Sequence, residues 1–225
     1  MSKEIKKRIP MSKDFNKKSI NDWLYGYLQS KSYVDSEGRT FVYKEDVNIS
    51  NIHENFPVSE FGEVPSRRKL SRDFNILKRV GFLKEIKVQG LKGNFVKAYE
   101  LPYDKQQLYK LIPIDTLIYI LSVGSQNLLR IYVYLLSKYQ WKITIGEYYR
   151  FTYKELITEC LGMKSVTNSR DYTIVKNCLD ALIKFKLIEL KLDYDRVGDN
   201  RQLTTYFKLS KVNTNIKYES VLDKR

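Results

Sequence analysis

The chain has 225 residues, enough for one large domain or two of ordinary size, and its 43% hydrophobic content supports true cores. Lys and Arg number 40 against 26 Asp and Glu, so the net charge is +14, a field that attracts polyanions. The two cysteines, Cys160 and Cys178, lie far apart with no CxxC spacing, which excludes a disulfide scaffold or a zinc ribbon; they read as reduced thiols in or near the core.

The first eighteen residues carry Lys3, Lys6, Lys7, Arg8, Lys13, Lys17 and Lys18 against Glu4 and Asp14. No apolar stretch follows the charges, so the segment is not a secretory signal and is expected to be a flexible basic arm that adds non-specific affinity for polyanions. A helix follows, with Ile20, Trp23, Leu24, Tyr27 and Leu28 at the spacing of a buried stripe. Thr40–Tyr43 reads as a short strand, and a second short helix is expected from about Lys44. In a third helix Leu70, Phe74, Leu77 and Val80 form one apolar face, while Arg68, Arg72, Asn75 and Arg79 form a polar stripe of the same period. Ser66 stands at its N-cap and Gly81 just past its end. Phe82–Val88 and Phe95–Leu101, around the turn Gln89-Gly90-Leu91-Lys92-Gly93, predict a β-hairpin.

After a polar joint at 104–113 the same order returns. Ile112–Leu136 is the most apolar region, but Asp115, Gln126, Asn127 and Arg130 break it short of a membrane span, and a cytoplasmic protein is expected. Leu128, Leu129, Tyr132, Leu135 and Leu136 form the next helical stripe. Phe151-Thr152-Tyr153-Lys154-Glu155 repeats Phe41-Val42-Tyr43-Lys44-Glu45. The run from Val175 to Ile188 parallels that from Leu70 to Leu83, and Phe207-Lys208-Leu209 answers Tyr99-Glu100-Leu101. Chance matches would not stay in order, so the chain is read as an internal repeat. The second hairpin is expected from Leu187–Leu192 and Leu203–Leu209 around a loop at 195–200. The fold class is α+β and helix-rich: an arm at 1–18, domains at 19–103 and 114–212, and a polar tail at 213–225.

Helix, strand, helix, helix, hairpin is the order of a winged helix. Both halves resemble the winged helix-turn-helix superfamily, in the run RKLSRDFNILKRVGFLKEIKV above all. The pairing, with IPIDTLIYIL leading into the second half, is similar to plasmid and phage replication initiators of low-GC Gram-positive bacteria. The resemblance implies two tandem domains, each of three helices and a β-hairpin wing, that bind double-stranded DNA. It leaves a transcriptional regulator of a mobile element, or a scaffold using one domain for protein docking, as alternatives. Host replication proteins and a second copy of the chain are the further partners it admits.

In that geometry the third helix enters the major groove, and the wing and flanking helix hold phosphates. Between Ser66 and Lys87, Arg67, Arg68, Lys69, Arg72, Lys78, Arg79, Lys84 and Lys87 face only Asp73 and Glu85. Arg68 and Arg72 suit the O6/N7 edge of guanine and Asn75 suits adenine. Ser71, Lys69, Arg67 and Arg79 complete the helix contacts, and Lys92 and Asn94 those of the wing. In the second copy Lys164, Ser169, Arg170, Thr173, Lys176 and Asn177 occupy the helix, and Arg196 and Arg201 the wing. There Asp171, Asp180 and Glu189 offset the cations, so the first domain is expected to grip harder. His53 is the only histidine, which excludes the paired-histidine metal site of a nicking enzyme, and no Gly-rich phosphate loop occurs. No enzyme activity, metal or cofactor is expected.

Overall fold

Period-3.6 apolar runs become helices and alternating runs become antiparallel strands, giving a mixed α+β chain. The computed structural model describes residues 4–5, 8–12, 15, 20–56, 64–90, 93–102, 110–123, 125–138, 148–163, 169–197 and 200–210. The chain divides into two compact units, Met1–Gln126 and Asn127–Arg225. Among the described residues no helix is long and apolar enough to cross a membrane.

Unit 1 starts with strands β1 (Glu4–Ile5) and β2 (Arg8–Met11). Helix α1 (Asp22–Ser30) follows, then β3 (Tyr33–Val34), β4 (Thr40–Tyr43), α2 (Ile49–Asn55), α3 (Arg67–Arg79) and the hairpin β5 (Lys84–Gln89) and β6 (Phe95–Glu100). Strand β7 (Lys110–Pro113) and helix α4 (Ile114–Val123) complete it. The main sheet has the order β1-β3-β4-β6-β5, and β2 pairs with β7 in a separate ribbon. Helix α1 is buried nearly all round, at Leu24, Tyr25, Gly26, Tyr27, Leu28 and Gln29, rather than along one stripe. A central helix packed on several sides requires that pattern.

Two expectations fail here. The segment 1–18 is not a loose arm where it is described: Arg8–Met11 pairs with Lys110–Pro113, and Ile9, Met11 and Phe15 are buried. The Phe15 ring stands 4.8 Å from Tyr25 and 5.6 Å from Phe82, tying α1 to the turn after α3. Three apolar residues spaced among cations look unpatterned in sequence, because the strand that Ile9 and Met11 belong to pairs a hundred positions away and Phe15 packs on rings of two other elements. The expected linker is the other failure. Lys110–Pro113 is a strand, and α4 with buried Thr116, Leu117, Ile120 and Leu121 belongs to unit 1, not to the second domain. Positions 103–109, like the tail at 213–225, lie outside the described residues.

Unit 2 runs α5 (Gln126–Lys138, its first residue counted with unit 1), β8 (Tyr149–Phe151), α6 (Tyr153–Glu155) continuing into a π-helical turn (Leu156–Cys160), α7 (Ser169–Lys184), β9 (Ile188–Val197) and β10 (Asn200–Leu209). Its sheet order is β8-β10-β9, the counterpart of β4-β6-β5. Cys160 and Cys178 are both buried and are not joined in a disulfide. Strand pairing in the second hairpin extends to Val197 and Asn200, so Asp195, Arg196 and Val197 belong to a strand and not to the expected loop. With two residues between partners, the ladder runs up to the turn.

The repeat holds in detail. The buried residues of α3 are Leu70, Asp73, Phe74 and Leu77, and those of α7 are their counterparts Val175, Cys178, Leu179 and Leu182. Lys84 faces Glu100 in the first hairpin; their counterparts Glu189 and Lys208 face each other in the second, with the charges exchanged. The first strand departs from the pattern, since Phe41 faces Glu100 while Phe151 faces Thr205. The second helices also differ. Thr152 and Glu155 form a reciprocal capping box that starts α6 at once, whereas Val42, the counterpart of Thr152, is a buried strand residue with no capping oxygen. The chain in unit 1 therefore turns through Lys44–Val47, and α2 starts later than expected, capped by the Asn48 side chain on the Asn51 amide.

Both third helices end alike. Phe82 N–H donates to Leu77 O and Leu187 N–H to Leu182 O, each at 2.9 Å, around a left-handed residue. That residue is Gly81 (φ 82°) in unit 1 and Lys186 (φ 55°) in unit 2. Lysine's Cβ makes this conformation costly, so Lys186→Gly should stabilise unit 2 by about 1 kcal/mol. Gly81→Ala should destabilise unit 1 by about as much, through backbone strain alone, because a Cβ there meets nothing within 4 Å. Thermal melting of the two variants would show opposite shifts; shifts of the same sign would contradict the equivalence.

Candidate nucleic-acid interface

Helix α3 is set by both ends and by one buried acid. The Ser66 side chain accepts from the Lys69 amide at 3.3 Å and starts the helix. Asp73, on the packed face, accepts from Asn21 Nδ2 at 2.6 Å and from Arg72 Nε at 3.2 Å. Asn21 in turn caps α1 by accepting from the Leu24 amide at 3.0 Å. One amide thus locks α1 to α3, and one carboxylate holds an exposed guanidinium by its Nε. Asp73 was missed as an anchor, although its place among Leu70, Phe74 and Leu77 at helical spacing was legible.

The opposite face of α3 carries the expected residues. Arg68, Lys69, Arg72, Asn75 and Arg79 are all exposed, and Ser71 is half-buried. Arg67 reaches Glu54 on α2 at 3.5 Å. The first turn holds three cations and no acid. Cations at a helix N-terminus oppose the positive end of the macrodipole, so this arrangement costs energy unless an anion lies against it. Lys78 is otherwise employed: its Nζ lies 4.8 Å from the Tyr99 ring centre and bonds Glu85 at 3.1 Å, while Lys44 meets the same carboxylate at 3.4 Å. The Lys78 hydrogen bond, with Lys44 beside it, holds the Glu85 carboxyl below its ordinary range.

In the first wing Asn94 is exposed and shapes the turn: Gly90 N–H donates to Asn94 O at 2.7 Å, and a Cβ at Gly90 would stand 2.9 Å from Asn94 Oδ1. Lys92 lies outside the described residues. Strand alternation adds three exposed residues the sequence reading left out of the site. Lys87 is the direct partner of Lys97, and Phe95, two residues from Lys97, is 76% exposed.

In unit 2, Ser169 and Arg170 open α7, and Lys176 and Asn177 are exposed along it. The Thr173 hydroxyl donates to Ser169 O at 2.8 Å, which engages it in the helix. Helix α7 begins three residues earlier than the counterpart of α3's first residue, Tyr172. Tyr172 stacks on Tyr153 at 4.4 Å and joins α7 to α6. Burial, with Tyr172 beside it, pushes the Tyr153 hydroxyl up to about 12. Asp171 lies in the first turn, unlike the all-cationic turn of α3. Arg196 and Arg201 are direct partners in the hairpin register. Lys164 lies outside the described residues. Nearer the core, Leu192, Tyr194 and Leu203 leave apolar side chains exposed on this hairpin. No protein-family model matches the chain, and no curated protein matches it.

Proposed function

We propose that the chain binds duplex DNA through two winged helix-turn-helix modules, with α3 and α7 as the major-groove helices and the two hairpins as wings. The observation that carries this reading is the exposed stripe Arg68, Arg72, Asn75 and Arg79 on α3. Its helix sits in a unit that runs helix, two strands, helix, helix, hairpin, and the described residues of the second half run helix, strand, helix, helix, hairpin. The stripe matches a groove that offers guanine O6/N7 and adenine N6/N7 edges between phosphates. The chain acts by binding, without chemistry of its own or a cofactor. Initiation of replication for a plasmid or phage, with recruitment of host replication proteins, is the task we assign first, and regulation of a mobile element's transcription is the alternative.

Selection of duplexes from a random pool by the full chain tests the proposal. An enriched sequence bound roughly a thousandfold more tightly than bulk DNA at fixed salt is the expected result. Failure to enrich any sequence would remove it. Direct repeats of that sequence favour the initiator, and a single palindrome favours the regulator.

A second reading, in which unit 2 docks a protein or a second copy of the chain, is favoured by the exposed Leu192, Tyr194 and Leu203 on its hairpin.

A further inference from the structure

The hairpin of unit 1 has two faces with different occupants. Val88 and Ala98 point to one side and join the buried cluster of Phe41 and Tyr43. Tyr99 points to the other, where Phe74 of α3 meets it edge-on at 5.3 Å. Counting by twos from Tyr99, the strand places Lys97 and then Phe95 on the α3 side, opposite Lys87 and Gln89. The exposed stripe of α3 and the outer end of the hairpin therefore belong to one side of the sheet.

Three features of that end need an occupant. Phe95 is the most exposed of the large hydrophobic residues described, at 76%. Beside it, Gly90 N–H donates to Asn94 O at 2.7 Å and Gly93 N–H to Gly90 O at 3.1 Å. Lys87 and Lys97 are both exposed and directly opposed across the ladder. Like charges in that position repel, and the cost is removed when an anion lies between them. At the equivalent register the second hairpin has Leu192 opposite Thr205, and its two arginines, Arg196 and Arg201, are partners farther out along the ladder.

We infer that Phe95 is a minor-groove wedge, inserted between base pairs while Lys87 and Lys97 clamp the flanking backbone phosphates. This rests on the duplex-binding reading above and adds to it a bend in the DNA. An apolar side chain entering the minor groove partly unstacks one step and kinks the duplex, and pyrimidine–purine steps yield most readily. About 7 Å separates same-face neighbours on a strand, which sets Phe95 one pleat beyond the cation pair.

The test uses the full chain and a duplex of roughly 30 base pairs with a central TA step, carrying fluorophores at both ends. Wild type should bind and raise energy transfer between the ends. Phe95→Ala should bind about tenfold more weakly and leave the ends apart, and circular dichroism should be unchanged because the side chain is exposed. Phe95→Trp should restore the bend, with its indole emission quenched by stacking. Lys87→Gln and Lys97→Gln should each lower the salt slope by about 0.9. If Phe95→Ala binds and bends the duplex as wild type does, the wedge is overturned and duplex binding stands. If the wild-type chain binds no duplex, both fall together.

Discussion

Deleting residues 1–18 should cost unit 1 most of its stability, not merely trim its affinity for DNA. Ile9, Met11 and Phe15 are fully buried, and each such side chain contributes about 1.5–3 kcal/mol. Together they reach a large part of the roughly 5–15 kcal/mol that holds a domain folded. Deletion also strips the pairing partner from Lys110–Pro113. The truncated chain should lose the near-ultraviolet dichroism of unit 1, or melt well below the intact chain, at every salt concentration. Phe15→Ala alone should cost about 3–5 kcal/mol, since its ring packs edge-on against both Tyr25 and Phe82. Replacing Lys3, Lys6, Lys7, Lys13, Lys17 and Lys18 by Gln spares these apolar residues; it should leave the melting temperature in place and reduce only the salt slope of DNA binding. A truncated chain that melts like the intact one would show the segment to be a detachable tether after all.

Local chemistry explains what the sequence reveals about the fold. A helix with four apolar positions at 3.6 spacing, a capping serine and a following glycine announces itself, and α3 begins and ends where those residues stand. A repeated pattern supplies a second reading of each element, which is why Lys186 can be recognised as the counterpart of Gly81 although its residue type argues against a left-handed turn. Long-range pairing carries no such signal. Arg8–Met11 is a strand only because Lys110–Pro113 lies beside it, and α4 belongs to unit 1 although its apolar run abuts the second half. The polar stripe of α3 was legible from its period, whereas Phe95, Lys87 and Lys97 were not. Their common face depends on the register of β5 against β6, and a slip of one residue would send them to the other side. Asp73 shows the converse error: counted as one negative charge against eight cations, it is a buried anchor that holds a cation in place.

Loss of Arg68 or Arg72 should weaken DNA binding more than loss of Asn177. Each arginine offers a bidentate contact to guanine, and Arg68→Ala or Arg72→Ala should cost about 1–3 kcal/mol and relax preference at one base position. Arg72 has the stronger case. Its Nε is held by Asp73, so less side-chain freedom is lost when its remaining nitrogens meet a base. Arg68 stands in the cationic first turn of α3, where attraction to phosphate adds to base readout. Asn177 is exposed on α7 but is uncharged, and Asp171 in the first turn of that helix repels the backbone it would approach. Its replacement by alanine should therefore cost less than either arginine. Arg68 and Asn177 are exposed, so their variants should keep the melting temperature, whereas Arg72→Ala also takes a partner from the buried Asp73 carboxylate and should lower it. Affinity for a selected duplex at fixed salt, measured where every variant is folded, then reports the contact itself. If Asn177→Ala proves the most damaging of the three, α7 is the principal reading helix. The cation excess of α3 would then serve only to hold the backbone, and its variants would shift the salt slope without changing which sequence is preferred.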